Sequence, residues 1–486
     1  GEVSFMIARL ESLFDRFLPK GSAMRHISII AGGTTIAQII NITTTPVLSR
    51  IYLPEDFGVM AAFLSVIAIL NEATGLRYPL AIPLPKHDRY ADALIVLCFL
   101  IQFVLVMLVA FLLFTVGGPL LTFLSLDALI PYRLLIPVGV ACVGIYFTLS
   151  QWAIRAKSFS TIARTKLTQS VSGVIARVTL GILGFHPFGL LLGSIVSQAG
   201  GATTLLRSLL KKCGWPKTSR RDLKKVALRY RRFPIFSTWS GVMITLGGRI
   251  APILLVAFFD THVAGLFAMA QSLLHIPSTF VGEAIRPVFL QRSSIAKHDG
   301  NLDHVFRKAS KILMRISFFP ILLIAFFAPW LLRIFLGVKW QAAGTFAQII
   351  APWVAINFVF SPLSSIFSVL ERQRAGLIFE IVHLPLRIIA LFLGARINNV
   401  VIAIIFLTIV NSGIYLIKLG YLYLATGNSI ASFLRDFTKE ASFAILLCIF
   451  PVLGLQMSLG VVAIVFAVLL PVVYYLRQLF NMLYNA

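Results

Sequence analysis

The chain has 486 residues, of which 58% are hydrophobic and only 13% are charged. Its mean hydropathy is +0.91, whereas an ordinary soluble domain has roughly a quarter of its residues charged. This composition excludes a water-soluble globular protein. Because the apolar runs are continuous and backbone polar groups in lipid must be satisfied within their own segment, the sequence predicts an all-α integral membrane protein.

The formal charge of +25 raises the possibility of a nucleic-acid partner, but its distribution argues against one. With the N-terminus inside, about 31 of the 43 Lys and Arg residues fall in cytoplasmic segments, as the positive-inside rule requires. We therefore expect a multi-pass protein with both termini in the cytoplasm, the lipid bilayer as its surroundings and no nucleic-acid partner.

Taken in chain order, the sequence predicts five regions. Residues 1–26 form an amphipathic interfacial helix, because Leu10, Leu13, Phe14 and Phe17 share one helical face. A six-helix N-terminal lobe at 27–210 and a six-helix C-terminal lobe at 234–424 are joined by a basic cytoplasmic connector at 211–233, and residues 425–486 add two accessory helices.

The prediction thus contains about fourteen transmembrane helices, each read from an apolar window of roughly 20 residues. The windows are 27–49, 57–78, 91–114, 131–150, 161–184, 187–210, 234–259, 262–290, 305–332, 342–368, 374–396, 398–424, 439–458 and 460–478. The connector holds the densest basic run, RSLLKKCGWPKTSRRDLKKVALRYRRF. This run indicates either a topology anchor or a contact with anionic headgroups.

A weak internal repeat suggests that the two lobes are pseudo-symmetric. The segment YLPEDFGVMAAF at 52–63 aligns with FDTHVAGLFAMA at 259–270, with Gly58 opposite Gly265. An even number of predicted spans separates the segments, so the repeats have the same orientation, as in transporters built from two parallel lobes.

Common catalytic motifs are missing from the sequence. It has no Walker A, HExxH or CxxC pattern and no long loop for a catalytic domain. The four cysteines are widely spaced and suggest neither a disulfide framework nor a metal site. We therefore expect a transporter that uses no cofactor and no bound metal, rather than an enzyme.

Several predicted spans carry polar stripes that favour a polar cavity. Gln38 and Asn41 share a face of the first span, and Gln271 and His275 share a face of the eighth. Hydrogen bonding between helices is the alternative explanation for these residues.

Arginines inside spans are harder to explain structurally, because a guanidinium at the bilayer centre costs at least about 2.5 kcal/mol. Arg177 and Arg249 lie in spans five and seven, and two such cations suit a diphosphate, which Arg binds through paired hydrogen bonds. A structural ion pair is the alternative. Arg286 follows Glu283 by three residues, so it is a candidate either for the substrate or for a local pair.

Acidic residues within spans are candidates for ion coupling, because a carboxylate there needs a proton or a partner. Glu72 in span two is one candidate, and Glu283 in span eight is another. Glu380, His383 and Arg387 share a face of span eleven, where they either relay protons or pair with each other.

The segments at 31–70 and 76–88, which include AGGTTIAQIINITTTPVLSRIYLPEDFGVMAAF and LRYPLAIPLPKHD, resemble the N-terminal region of polysaccharide flippases of the O-antigen and capsule type. Residues 254–300 resemble their span seven to eight region. The resemblance implies membership of the multidrug, oligosaccharidyl-lipid and polysaccharide exporter superfamily, with two six-helix lobes around a cationic cavity in the bacterial inner membrane.

The substrate that this resemblance implies is an undecaprenyl-diphosphate-linked oligosaccharide, flipped to the periplasmic leaflet by alternating access. A glycan polymerase and a chain-length regulator are the implied protein partners. Pro79 and Gly248 depart from acidic or amide residues of relatives, which weakens the inference of ion coupling. The first span has no internal basic residue, unlike the lipid II flippases. A drug or metabolite exporter of the same superfamily and a membrane glycan polymerase or ligase are the alternatives.

Overall fold

A computed structural model describes residues 23–214, 218–456, 469 and 471–478. These residues form helices joined by short turns, and the described part of the chain contains no strand, which confirms the all-α fold class. The predicted interfacial helix within 1–26 and most of the fourteenth predicted span lie outside the described residues.

The chain divides between Ala268 and Met269 into two compact units. The first unit contains helices α1 to α9 and the beginning of α10. Their bounds are α1 Ala23–Ile51, α2 Pro54–Thr74, α3 Asp88–Thr115, α4 Gly117–Phe123, α5 Leu135–Arg155, α6 Phe159–Ile182, α7 Phe188–Cys213, α8 Arg220–Arg229, α9 Thr238–Phe258 and α10 Thr261–Asp299.

The second unit contains the rest of α10 and six further helices. These are α11 Leu302–Leu336, α12 Gln341–Leu363, α13 Ile366–Val369, α14 Gln373–Arg396, α15 Val400–Ala425 and α16 Ile430–Gln456. Short 3-10 segments precede α3, α5 and α12, at Tyr78–Ala81, Asp127–Tyr132 and Val338–Trp340, and a π-helical turn at Phe233–Ser237 leads into α9.

Each of the first thirteen predicted spans overlaps one of these helices. Among the described residues, nine helical segments are long and apolar enough to cross a membrane. The protein is therefore a multi-pass membrane protein, while the total of fourteen spans and the lobe bounds at 27–210 and 234–424 stay predictions.

Helix α8 lies inside the connector, where the sequence predicts only a basic linker. Ser219 caps the helix by accepting a hydrogen bond from the Asp222 backbone N–H at 3.2 Å. The Asp222 carboxylate accepts hydrogen bonds from the Ser219 hydroxyl at 2.7 Å and from Arg89 of α3 at 2.8 Å. Val226 packs into the apolar core of the first unit, and Tyr78 donates to the Ala227 carbonyl at 3.1 Å. The connector is therefore anchored to the membrane helices.

The two glycines aligned by the sequence repeat lie against each other within the first unit. A Cβ at Gly58 would collide with the carbonyl oxygen of Thr261, and a Cβ at Gly265 would collide with that of Pro54. Because Pro54 and Thr261 are themselves equivalent in the alignment, the contact is reciprocal, as a local two-fold relation between α2 and the start of α10 would produce.

A polar side-chain contact also joins equivalent residues of the two segments. Glu55 Oε1 lies 2.8 Å from His262 Nδ1, and both side chains are about half exposed. The crossing of α2 and α10 is thus fixed by a close backbone contact and by a polar pair beside it.

We predict that Gly58→Ala and Gly265→Ala each destabilise the protein, by about 1–3 kcal/mol, because the added methyl group forces the two backbones apart. The thermal unfolding midpoint of the detergent-solubilised protein measures this effect. Gly413→Ala in α15 is the control, since a Cβ there meets nothing within 4 Å. Equal midpoints for all three variants would contradict the close crossing.

The contacts of Asp222 that hold α8 in place lead to a second prediction, on how the stability of this helix depends on pH. The hydrogen bonds from Ser219 and Arg89 hold the pKa of the Asp222 carboxyl below its ordinary value of 3.8. A lowered native pKa stabilises the folded state fully above the ordinary value, and this contribution is lost as the pH falls through the lowered value. Hydrogen-exchange protection of α8, corrected for intrinsic rates, should therefore stay constant from pH 7 to about 4 and fall below that.

The variant Asp222→Asn should weaken α8 protection from pH 7 to about 4, because it removes the ion pair with Arg89, and should differ little from the native chain once the native carboxyl is protonated. Asp127→Asn is the control, since Asp127 bonds to Thr122 away from α8. Loss of protection between pH 7 and 5 in the native chain would contradict the lowered pKa.

Candidate functional site

Arg249 lies close to the midpoint of α9, one of the candidate spans, and its side chain is exposed. The structure shows no ion pair or hydrogen bond for its guanidinium within the described ranges. A guanidinium at this depth is too costly to face lipid, so it is expected to face water or a ligand. Arg249 is therefore a cation available to an anionic group.

Arg177 lies in α6, about one and a half turns before the helix ends at Ile182. Arg177 therefore lies nearer the end of its helix than the middle. Its Nη2 is 3.4 Å from the Ser194 hydroxyl of α7, and its Nε is buried without a hydrogen-bond partner in the described chain. No carboxylate pairs with it in the described residues, so the expected alternative of a structural ion pair finds no support.

The backbone around Arg177 is held by Tyr52, which follows α1. The Tyr52 hydroxyl donates to the Arg177 carbonyl at 2.7 Å, and the Tyr52 side chain is fully buried. Gly193 of α7 lies against the Arg177 stem, where a Cβ would collide with Cγ. These contacts fix the helix position while leaving the guanidinium largely unbonded.

Glu72 forms an ion pair with Arg77 in the first unit. The carboxylate of Glu72 accepts from Arg77 Nε at 2.7 Å and from the Thr245 hydroxyl of α9 at 3.4 Å. Gly241 leaves room for the Arg77 guanidinium beside α9, since a Cβ there would overlap it. The positive charge of Arg77 therefore compensates the negative charge of Glu72.

A cavity of about 120 Å³ lies beside this pair. Gln102 and Thr148 contribute polar groups to its lining, together with Glu72 and Arg77. Gln102 donates to the Ala141 carbonyl at 3.0 Å. The cavity is small, so it suits water or an ion rather than a glycan.

The polar stripe of α1 is partly used within its own helix. The side-chain amide of Asn41 donates to the Ala37 carbonyl at 3.1 Å, and Thr45 donates to the Asn41 carbonyl at 2.9 Å. Gln38 is half-buried. The structure therefore gives Asn41 a local partner that the sequence did not anticipate.

The candidates on α10 behave differently from one another. His275 Nδ1 lies 3.2 Å from the Ser278 hydroxyl, one turn away. Gln271 is half-buried and Arg286 is exposed. The side chain of Glu283 lies outside the described part of the structure, so the predicted pair with Arg286 stays a prediction.

A buried charge cluster joins α14 and α15 in the second unit. Glu380 of α14 pairs with Lys418 of α15 at 2.6 Å, and Lys418 is only 1% exposed. Lys418 also lies over the rings of Phe360 and Tyr415, at 5.4 and 5.1 Å from their centroids. One expectation from the sequence was that Glu380 pairs with its neighbours on α14. The structure instead pairs it with a residue of another helix, α15.

The other two residues of the predicted trio converge on Asn411 of α15. His383 Nε2 lies 2.8 Å from Asn411 Oδ1, and Arg387 Nε donates to the same oxygen at 2.6 Å. The buried Nδ1 of His383 and Nδ2 of Asn411 have no hydrogen-bond partner in the described chain. These two nitrogens are therefore free to hydrogen-bond within an apolar interior, as expected where a water molecule or an ion binds.

Lys418 and Asn411 are the functional candidates that sequence reasoning missed. A lysine in the apolar helix VVIAIIFLTIVNSGIYLIKLGYLYLA could have been found by the rule that singled out the arginines. Its pairing with Glu380 could not, because it depends on how α14 and α15 pack.

Solved structures with the same fold belong to transporters. The lipid II flippase MurJ in an inward closed conformation has a TM-score of 0.72 at 12% identity, covering 93% of this chain and 99% of that one. An inward-facing multidrug resistance MATE family transporter of the MOP superfamily has a TM-score of 0.66 at 13% identity, with 86% and 98% covered. A MOP superfamily transporter from Pyrococcus furiosus has a TM-score of 0.55 at 12% identity, with 84% and 98% covered. The molecule is therefore a multi-pass membrane protein with the MOP superfamily fold.

The sequence profile described as "Polysaccharide biosynthesis protein" matches residues 47–344, more than half of the chain. The chain belongs to this polysaccharide biosynthesis family, as the resemblance in its first spans predicted. A comparison with curated proteins found no match.

We predict that Lys418→Met destabilises the protein by about 3–5 kcal/mol, because Glu380 is left without its counter-charge. Adding Glu380→Gln to that variant should recover part of the loss, since the remaining group is then neutral. Unfolding midpoints of the single and double variants measure the coupling. The control is Lys339→Met, which removes an exposed lysine and should change stability by less than about 0.5 kcal/mol. Additive single effects would contradict the pairing.

Proposed function

We propose that the protein is a flippase that moves a lipid-linked oligosaccharide across a bacterial inner membrane. The observation that carries the proposal is Arg249, an exposed guanidinium at the middle of an apolar span, in a chain of the polysaccharide biosynthesis family. A fixed cation at that depth lowers the cost of bringing an anionic headgroup into the membrane. The diphosphate that links a glycan to undecaprenol is such a headgroup.

In this proposal the diphosphate binds to Arg249 and Arg177, each through paired N–H groups. The polyprenyl tail stays in the lipid hydrocarbon throughout, so its movement between leaflets exposes no apolar surface to water. Sugar hydroxyls are proposed to contact the remaining polar candidates during the transport cycle. These are Gln38, Asn41, Gln271, His275 and Arg286.

In alternating access the site opens to one face of the membrane at a time, and net transport in one direction then needs a substrate gradient or a coupled ion gradient. Ion coupling is proposed at Glu380, because its pair with Lys418 lies on α14 with His383 and Arg387, which share Asn411, and because buried polar atoms of His383 and Asn411 have no hydrogen-bond partner in the described chain. Glu72, which pairs with Arg77, is the second coupling candidate. Glu283 is retained as a candidate from sequence.

The product of flipping is a lipid-linked glycan at the periplasmic face. A lipid-linked glycan at the periplasmic face must be used by an enzyme on that side of the membrane. A polymerase with its chain-length regulator, as in O-antigen or capsule synthesis, is such an enzyme. We propose these as functional partners of the chain.

We predict that Arg249→Gln and Arg177→Gln abolish surface polysaccharide in a host that lacks the native gene and leave assembled lipid-linked repeats in the cytoplasmic leaflet. Arg249→Lys should restore part of the activity, because it keeps the charge and loses the paired hydrogen bonds. Surface glycan and leaflet-resolved lipid extraction are the measurements.

The matched control is Arg164→Gln, which removes an exposed arginine near the start of α6. All variants should reach the membrane in equal amounts. A normal amount of surface glycan in both the Arg249 and Arg177 variants would contradict the proposal. Unchanged glycan together with altered drug sensitivity would identify an exporter instead, like the multidrug resistance MATE family transporter that has the same fold.

A further inference from the structure

A second cavity lies between α8 and the start of α3, and its lining does not include Arg177 or Arg249. It has a volume of about 600 Å³. One wall is the segment Leu84–His87 with Tyr90, and the other is α8 with Tyr230. The distribution of basic residues assigns this face to the cytoplasm.

The lining is strongly cationic. Lys86, Lys225 and Arg229 are exposed side chains on its walls, and no acidic residue is among the lining side chains. Lys225 and Arg229 are one turn apart on α8, so they present adjacent charges to the same space.

The nearby carboxylates have other partners. Asp222 is bonded to Ser219 and Arg89, and Asp88 pairs with Arg155 at 2.7 Å. The second nitrogen of Arg155 donates to the Pro85 carbonyl at 2.6 Å, in the opposite wall of the cavity. Within the described residues, neither carboxylate forms an ion pair with the cations of the lining.

Apolar groups accompany the charge. Leu84 in the lining is 58% exposed and Leu228 on α8 is 57% exposed, while Tyr90 and Tyr230 are half-buried. An exposed leucine beside a basic cavity at a membrane face is typical of a surface that meets both headgroup and acyl chain.

We propose that this cavity binds the phosphate headgroup of an anionic lipid of the cytoplasmic leaflet. Lys225, Arg229 and Lys86 pair with the phosphate, the tyrosine rings line the glycerol region, and Leu84 contacts the acyl chain. A basic run that served only as a topology anchor would need neither an ordered helix nor a preformed cavity, and α8 has both. Bound lipid would tie the connector to the membrane surface.

Native mass spectrometry of the full-length protein in detergent tests the site with phosphatidylglycerol and phosphatidylcholine as probes. We expect wild type to prefer phosphatidylglycerol, and Lys225→Gln/Arg229→Gln to weaken that binding about tenfold or more, since each cation near an anionic lipid surface contributes substantially. Lys86→Gln tests the opposite wall and should weaken binding in the same direction. Binding of phosphatidylcholine should be equal in all variants.

The matched control is Arg220→Gln/Lys224→Gln, which removes the same charge at the same spacing from the same helix but outside the cavity lining. It should retain the affinity for phosphatidylglycerol within about threefold, because only long-range attraction is reduced. Equal losses from the two double variants would show that the helix attracts anions without a site, and would overturn the proposal. Displacement of the lipid by equimolar inorganic phosphate would assign the cavity to a free anion and overturn it as well.

Discussion

The cost of placing charge in hydrocarbon governs how this protein is built. In the described chain, the carboxylates of Glu72 and Glu380 are neutralised by local partners, Arg77 and Lys418. Arg177 and Arg249 have no carboxylate partner among the described residues. Arg249, whose guanidinium also shows no hydrogen bond there, is the strongest functional candidate.

The close crossing of α2 and α10 places a second constraint on the molecule. Two glycines allow the backbones to touch, and the polar pair between Glu55 and His262 lies beside them. The equivalence of these segments links a sequence repeat to a physical contact.

The connector shows how one run of basic residues can have several roles. Arg89 and Asp222 hold α8 in place, while Lys225 and Arg229 stay available on its outer surface. Different members of the same cationic segment therefore anchor the helix and line the cavity for which we propose a lipid phosphate.

The sequence by itself determined the helical membrane class and the overlap of thirteen predicted spans with helices, because apolar periodicity and length depend only on local composition. It also singled out Arg249, since a charge within an apolar run is visible without any fold. Only the tertiary structure decided that Glu380 pairs with Lys418 rather than with His383, and that the connector contains an anchored helix with a cavity beside it. These features depend on contacts between residues far apart in the chain, such as Arg89 with Asp222, and no local pattern encodes which distant partner a side chain will meet.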